Sequence, residues 1–456
     1  MRLMNQRRHG WLGGAALAAA TLLAGCEVTN PGPVQDEFLA DEAAQEGLIF
    51  GAQRSIAETF GGRVLETAFM AREVFPGGQT GAWGADVTEH AGHQQPFNGP
   101  GFTNLHEARF ITETAITRFT EAGASDTRLH QAWLWNGWAY RYLGEWWCDA
   151  VLPSRDPLNT DPPAWHPNDV NPYFTRAVES FTEALGYAST DAERNAAYAG
   201  RAQAHLWLGN WAEALSDAAA VNDEAFAQMI EQDATNSNLS NYMYEGNSGL
   251  FRSYSAFFTW FVEYFDDTGD PRVPMKDYDP GTPFAVGSLS GFGQVPYREQ
   301  AKYTAGSQAF EMADYWEMQL IQAEAILRGA GGGDFNDAVD LINDVRGRTG
   351  VGLAPVAAAN AQEAWGHVMT ERRIELWIEG RNAADERRWT RNPPFAGADV
   401  QALLNIPDWD NPANPGYTDL FVDNPRGLDG RGPAELCYDI PSAERDRNPN
   451  VPVTGR

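Results

Sequence analysis

Carboxylates and aromatic rings are the groups of this chain best suited to do chemistry. Cleaving a glycosidic bond needs two placed carboxylates. The sequence offers Glu375 and Glu379, one helical turn apart. Both stand among arginines, in the run Glu371-Arg372-Arg373-Ile374-Glu375-Leu376-Trp377-Ile378-Glu379-Gly380-Arg381. Guanidinium neighbours hold a carboxylate ionised, which suits a structural ion pair rather than a general acid. Asp266, Asp267 and Asp270 carry oxygens of the kind that bind calcium. Their spacing is not that of an EF-hand, and turn capping accounts for them as well. The sequence contains no phosphate loop, dinucleotide fingerprint, zincin motif or nucleophile elbow, and no Cys/His cluster at zinc spacing. The expectation is a protein without catalysis and without a cofactor.

Stacking is the third chemistry. Sugar rings present C–H faces to Trp and Tyr, while Asp, Asn, Gln and Arg take hydroxyl groups. Trp83 with Gln79 and Asp86 lies in a glycine-rich stretch, and Tyr278, Phe284, Phe292 and Tyr297 lie in a second one. These seven are candidate ligand contacts; the competing reading is that they pack their own loops.

The elements that must position these residues are mostly helices. The 456 residues, 43% hydrophobic, suffice for a sizeable core. Helical spacing of apolar residues predicts helices over 36–59, continued as a pair over 66–74, then 105–122, 126–147 and 172–186. Two stretches, 192–221 and 315–348, read as helix, glycine turn, helix; Gly209-Asn210-Trp211-Ala212-Glu213-Ala214-Leu215 resembles a tetratricopeptide turn. Small residues such as Ala197, Gly200, Ala214 and Ala218 are expected to let the two helices of the first hairpin approach closely. The run 371–389 is expected to form about five helical turns, with a break allowed at Gly380. Its glutamates form a row at i, i+4, and its arginines lie at i±3, close enough to pair with them. Loop regions fall at about 76–101, 221–306 and 390–456, rich in Gly, Pro, Asn and Asp. The fold class is therefore mainly α, built of tetratricopeptide-like hairpins with long irregular insertions.

A formal net charge of −29, with Lys276 and Lys302 the only lysines, argues against nucleic acid as a partner. Arg7-Arg8, a short apolar stretch over 11–23 and then Leu23-Ala24-Gly25-Cys26 resemble a bacterial lipoprotein signal. That implies a signal peptide over 1–25, acylation of Cys26, a tether over 26–35 and one domain over 36–456. Cys148 and Cys437 remain, either as a disulfide or as two buried thiols.

Five segments resemble the SusD/RagB family of outer-membrane nutrient-binding lipoproteins. They are Asn30-Pro31 after the cysteine; Arg141-Tyr142-Leu143-Gly144-Glu145 with Leu152-Pro153; and Lys302-Tyr303 followed by Ala313-Asp314, Gln322-Ala323-Glu324-Ala325 and Asn343-Asp344-Val345-Arg346-Gly347-Arg348. The fourth is the Glu371 run with Asp385, Arg387, Arg388 and Trp389; the last is Asp439-Ile440-Pro441, Glu444 and Asn448-Pro449. Asn382-Ala383-Ala384 and Glu386 depart from the family's usual residues, in packing positions. The resemblance implies a lipoprotein seated over a TonB-dependent SusC-like barrel, binding glycan or, in some members, peptide. It also implies that Glu371, Arg372, Arg373, Glu375, Glu379, Asp385 and Arg388 are scaffold, with ligand contacts left to the variable loops. An interaction scaffold of tetratricopeptide type, binding only proteins, is the alternative of another class.

Overall fold

The computed structural model describes residues 42–76, 99–156, 159–167, 172–247, 253–256, 259–277, 286–289, 293–296, 298–404 and 436–452. The chain divides into two compact units, Met1–Gln45 and Glu46–Arg456. Of the first, only the residues from Glu42, where the first helix begins, are described.

The second unit is mainly helical. Its principal helices are α1 (Glu42–Met70), α2 (Gly99–Glu121), α3 (Thr127–Trp146), α4 (Pro172–Tyr187), α5 (Asp191–Leu208), α6 (Trp211–Ala220), α7 (Trp260–Thr268), α8 (Tyr315–Leu327), α9 (Phe335–Gly347), α10 (Ala361–Glu375) and α11 (Asn382–Arg391). The helical pair anticipated over 36–74 is one helix, α1, which continues through Gly61-Gly62. Helices α2 to α6 pack in chain order, each on the next, and α8 continues the stack by lying on α6 and α5. Helices α9 and α10 then pack on α8. Among the described residues no helix is long and apolar enough to cross a membrane.

Local chemistry sets the hairpin boundaries. Thr190 and Glu193 close a capping box at the start of α5, and Gly209, at φ 72°, ends that helix in the left-handed conformation. Asp334 and Asp337 cap α9 in the same way. Gly200 serves a contact other than the one expected. Gly200 of α5, with Gly137 of α3, makes room for the ring of Phe181 on α4; a Cβ on Gly137 would lie 2.7 Å from that ring. At Gly200 the close approach is to the preceding helix, because a large ring needs two facing hollows.

The stretch 221–306 holds short elements between its irregular parts. Strand Ala227–Ile230 pairs antiparallel with Phe310–Asp314, and further two-stranded ribbons join Met275–Asp277 to Arg298–Gln300 and Val286–Leu289 to Gly293–Pro296. The described strands form only such two-stranded ribbons. Cys148 and Cys437 form a disulfide, which fastens the chain just after α3 to the C-terminal segment. Tyr438 extends that junction: its N–H donates to Trp146 O at 2.7 Å, and its carbonyl accepts from Cys148 N at 2.8 Å.

Candidate functional site

The run 371–389 is not one helix. Helix α10 ends at Glu375, residues 376–381 form a tight turn, and α11 starts at Asn382. Ile378 takes φ 52° and Gly380 φ 78°. Such a φ is costly for a β-branched residue and natural for glycine. Gly380 also passes close to α1, where a Cβ would stand 3.2 Å from Thr67 Oγ1. The turn is held by Glu73, whose Oε1 accepts from Ile378 N at 2.6 Å and Asn382 Nδ2 at 2.7 Å.

Leaving the helix early redirects the charges. The glutamates of the run do not pair with its own arginines at i±3; each finds a cation on another element. Glu371 meets Arg346 and Arg272, Glu375 meets Arg348 at 2.6 Å, and Glu379 accepts from Lys302 Nζ at 2.6 Å. The arginines likewise reach other elements, with Asp385 the one acid of the run that they meet. Arg372 donates to Asp385 at 2.9 Å, Arg381 to Glu145 at 2.7 Å and Glu317 at 2.8 Å, and Arg388 to Glu324 at 2.8 Å and Asp385 at 3.0 Å. Arg373 lies over the rings of Trp260 and Phe261. All of these motif side chains are buried. They form an internal clamp joining α3, α8, α10 and α11.

Burial and pairing sort the carboxylates into two sets. Burial alone raises a carboxyl group; Arg372 and Arg388 overcome it and hold Asp385 at about 2. Arg381 and Arg372 likewise hold Glu317 low, and Arg388 does so for Glu324. On the other side of the run the balance reverses. Burial, with Glu379 nearby, pushes Glu311 up to about 8. Burial together with Glu311 and Glu375 pushes Asp314 well above the usual carboxylate range, and burial keeps Glu379 raised in spite of Lys302.

These raised acids line a cavity of about 440 Å³. Its lining carries the acids Glu311, Asp314, Glu375 and Glu379 together with Lys302, Arg272 and Arg348. Pro271, Thr349 and Gly350, all exposed, lie at its rim. Residues 311 and 314 of a regular strand point to opposite faces. Here the register shifts between Glu311 and Ala313. An irregularity of this kind re-aims side chains, and both acids reach the one cavity. Sequence reasoning missed this site. Its available signal was the acid spacing Glu311, Asp314, Glu317 inside an otherwise apolar strand-to-helix junction.

The other anticipated residues fall as follows. Asp266 pairs with Arg298 at 2.7 Å, Asp267 is exposed, and buried Asp270 accepts from Arg272 at 2.7 Å and from Tyr264 OH at 2.7 Å. Among the described residues no three His, Cys, Asp or Glu gather as metal ligands do. Cys26, Gln79, Trp83, Asp86, Tyr278, Phe284, Phe292 and Tyr297 lie outside the described residues.

Comparison with known proteins decides the fold. A SusD superfamily protein from Parabacteroides distasonis superposes with a TM-score of 0.63 at 15% identity, covering 90% of this chain and 98% of that one. The chain has the SusD fold. A SusD superfamily protein from Bacteroides vulgatus gives a TM-score of 0.61 at 16% identity, over 90% of this chain and 98% of its own. A SusD-like carbohydrate-binding protein from Bacteroides fragilis gives 0.61 at 14% identity, over 91% and 100%. The SusD family model matches residues 261–452, which carry the Glu371 run and the acidic cavity. The curated proteins give no match.

Proposed function

We propose that this chain is a SusD/RagB-family lipoprotein that captures an oligomeric nutrient at the cell surface, a glycan in the first instance. It would hand that nutrient to a SusC-like TonB-dependent barrel and carry out no catalysis itself. The carrying observation is that the family match over 261–452 and the SusD fold over about nine-tenths of the chain coincide in one molecule. One of the fold relatives, from Bacteroides fragilis, is a SusD-like carbohydrate-binding protein, and the same role is proposed here. In this reading residues 1–25 are a signal peptide and Cys26 is acylated. Residues 26–35 are the tether from the outer membrane, and 36–456 form a single domain. Trp83, Asp86 and Gln79, with Tyr278, Phe284, Phe292 and Tyr297, are the proposed stacking and hydroxyl contacts.

Affinity electrophoresis in gels cast with a panel of polysaccharides, with product analysis, tests the reading. Retardation without cleavage is expected, together with co-purification of a large β-barrel from outer membranes. Cleavage products would replace the binding reading by an enzymatic one. Retardation by no glycan and binding by no oligopeptide, with capture only of proteins, would leave the tetratricopeptide-type scaffold standing.

A further inference from the structure

The cavity behind the Glu371 run has more acid than its cations can match. Glu379 is met by Lys302, and Glu375 by Arg348. Arg272 is shared among Asp270, Glu371 and Glu375. Glu311 and Asp314 are left over. No hydrogen bond or ion pair from the described residues reaches the Glu311 carboxyl group. Asp314 is only 8% exposed. One of its oxygens accepts from Glu317 N at 2.6 Å and caps α8; no hydrogen bond from the described residues reaches the other, and the residue lines the cavity. Keeping such carboxylates ionised in a partly dehydrated cavity without a cation of their own is costly. Burial first, then Glu379 beside Glu311 and Glu311 with Glu375 beside Asp314, raises the affinity of both for protons, as happens where acids outweigh the cations near them.

We propose that this cavity binds an organic cation, a primary ammonium or guanidinium group carried by the captured nutrient. The volume of about 440 Å³ lies within the range of small-ligand sites, about 300–1,000 Å³. An anion would meet four carboxylates and cations that are already paired. A neutral group supplies no charge and would leave Glu311 and Asp314 holding their protons, whereas a cation would draw those protons off and pair with the carboxylates. A bare metal ion needs several converging oxygens, and the described residues do not gather them. An ammonium or guanidinium donates up to three or five N–H bonds and needs only two acids facing it. The cation would enter past Pro271, Thr349 and Gly350 and stop between Glu311 and Asp314. This proposal rests on the uptake reading for its source of ligand, and on the cavity for its chemistry.

Calorimetric titration of the folded chain, without its lipid, tests it. The probes are arginine amide and glucosamine, with urea and N-acetylglucosamine as uncharged counterparts. The cations are expected to bind and the neutral compounds to give no heat. Glu311→Gln and Asp314→Asn should each weaken cation binding about tenfold or more; asparagine keeps an oxygen for the Glu317 N–H. Chitosan oligomers against lysine- and arginine-containing tripeptides then distinguish an amino sugar from a peptide as the source. Equal binding of charged and neutral probes, or no cation binding by a chain whose circular dichroism and melting show it folded, overturns the proposal. Retention in neutral polysaccharide gels serves as the separate readout. If Glu311→Gln is retained like the parent while neither protein binds cations, the cavity proposal falls and the uptake reading stands. If the small cations bind but no polysaccharide retards the chain and no oligopeptide binds it, the uptake reading falls instead.

Discussion

Glu73 shows how one side chain couples the fold to pH. It is fully buried, holds the strained Ile378 turn through one oxygen, and leaves the other without a partner. Burial raises it from 4.5 to about 7 against the pull of the Ile378 and Asn382 hydrogen bonds and of Arg373 and Lys302. The folded state therefore binds this proton more tightly than the unfolded chain does. Its contribution to stability is full below about pH 4.5 and is lost as pH rises through 7. Glu73→Gln keeps an acceptor oxygen for Ile378 N and removes the titration. Denaturant unfolding at a series of pH values should show the variant gaining on the parent from pH 5 to 8, by up to about 3 kcal/mol. Parallel pH profiles for the two proteins would refute this role. Nothing in the sequence flagged Glu73. Its partners lie some three hundred positions away, and only the turn after α10 brings them together. The arginine-rich run was legible as a paired, buried cluster, whereas the identity of each partner was not, because every partner but Asp385 comes from outside the run.

At the scale of elements, the hairpins were legible and the break in the run was not. Glycine turns and capping residues are local signals, so α5–α6 and α8–α9 lie where periodicity put them. The end of α10 is decided by distant contacts: Glu73 takes the Ile378 N–H, and Trp146 Nε1 donates to Gly380 O at 3.0 Å. An apolar row at Ile374, Trp377 and Ile378 reads as helical on the page, yet tertiary bonds override it. The ribbon irregularity beside Met312 escaped for the same reason. Its carbonyl accepts from Gln203 Nε2 at 3.1 Å and Arg381 Nη1 at 3.3 Å, donors that come from α5 and from the turn. Arg388 tests the clamp between α11 and α8. Arg388→Ala leaves buried Glu324 without its cation, while buried Asp385 keeps only Arg372. Breaking one side of a buried pair costs about 3–5 kcal/mol. Thermal unfolding should drop accordingly, while polysaccharide retention per folded molecule stays as in the parent. Lost retention with unchanged melting would make the clamp part of a site. Glu379 is unsuited to this test, because it also lines the cavity.

At the scale of the molecule, the helical stack and its acidic surface follow from composition and periodicity, but the loops that would meet a ligand do not. Aromatic and amide residues in a glycine-rich loop serve packing and recognition equally well, so their types alone leave the role open. The junction of the chain's end with its helical stack is more decisive. Cys148 and Cys437 are separated by 289 positions, and sequence left their pairing open because nothing local aligns them. The C-terminal segment returns to α3 through backbone bonds of Tyr438, while Asn448 Nδ2 donates to Pro163 O at 3.1 Å. A cross-link over so long a loop restricts the unfolded chain strongly, by about 3–5 kcal/mol. The folded chain needs no large rearrangement to keep the segment in place, since hydrogen bonds and the buried Tyr438 ring remain. Cys148→Ser with Cys437→Ser should therefore give a protein that folds to the same circular dichroism spectrum but unfolds at lower denaturant. Reductant should lower the parent to the variant's midpoint and leave the variant unmoved. A parent insensitive to reductant, with a variant of equal midpoint, would show that the C-terminal segment is held by its hydrogen bonds and ring contacts alone.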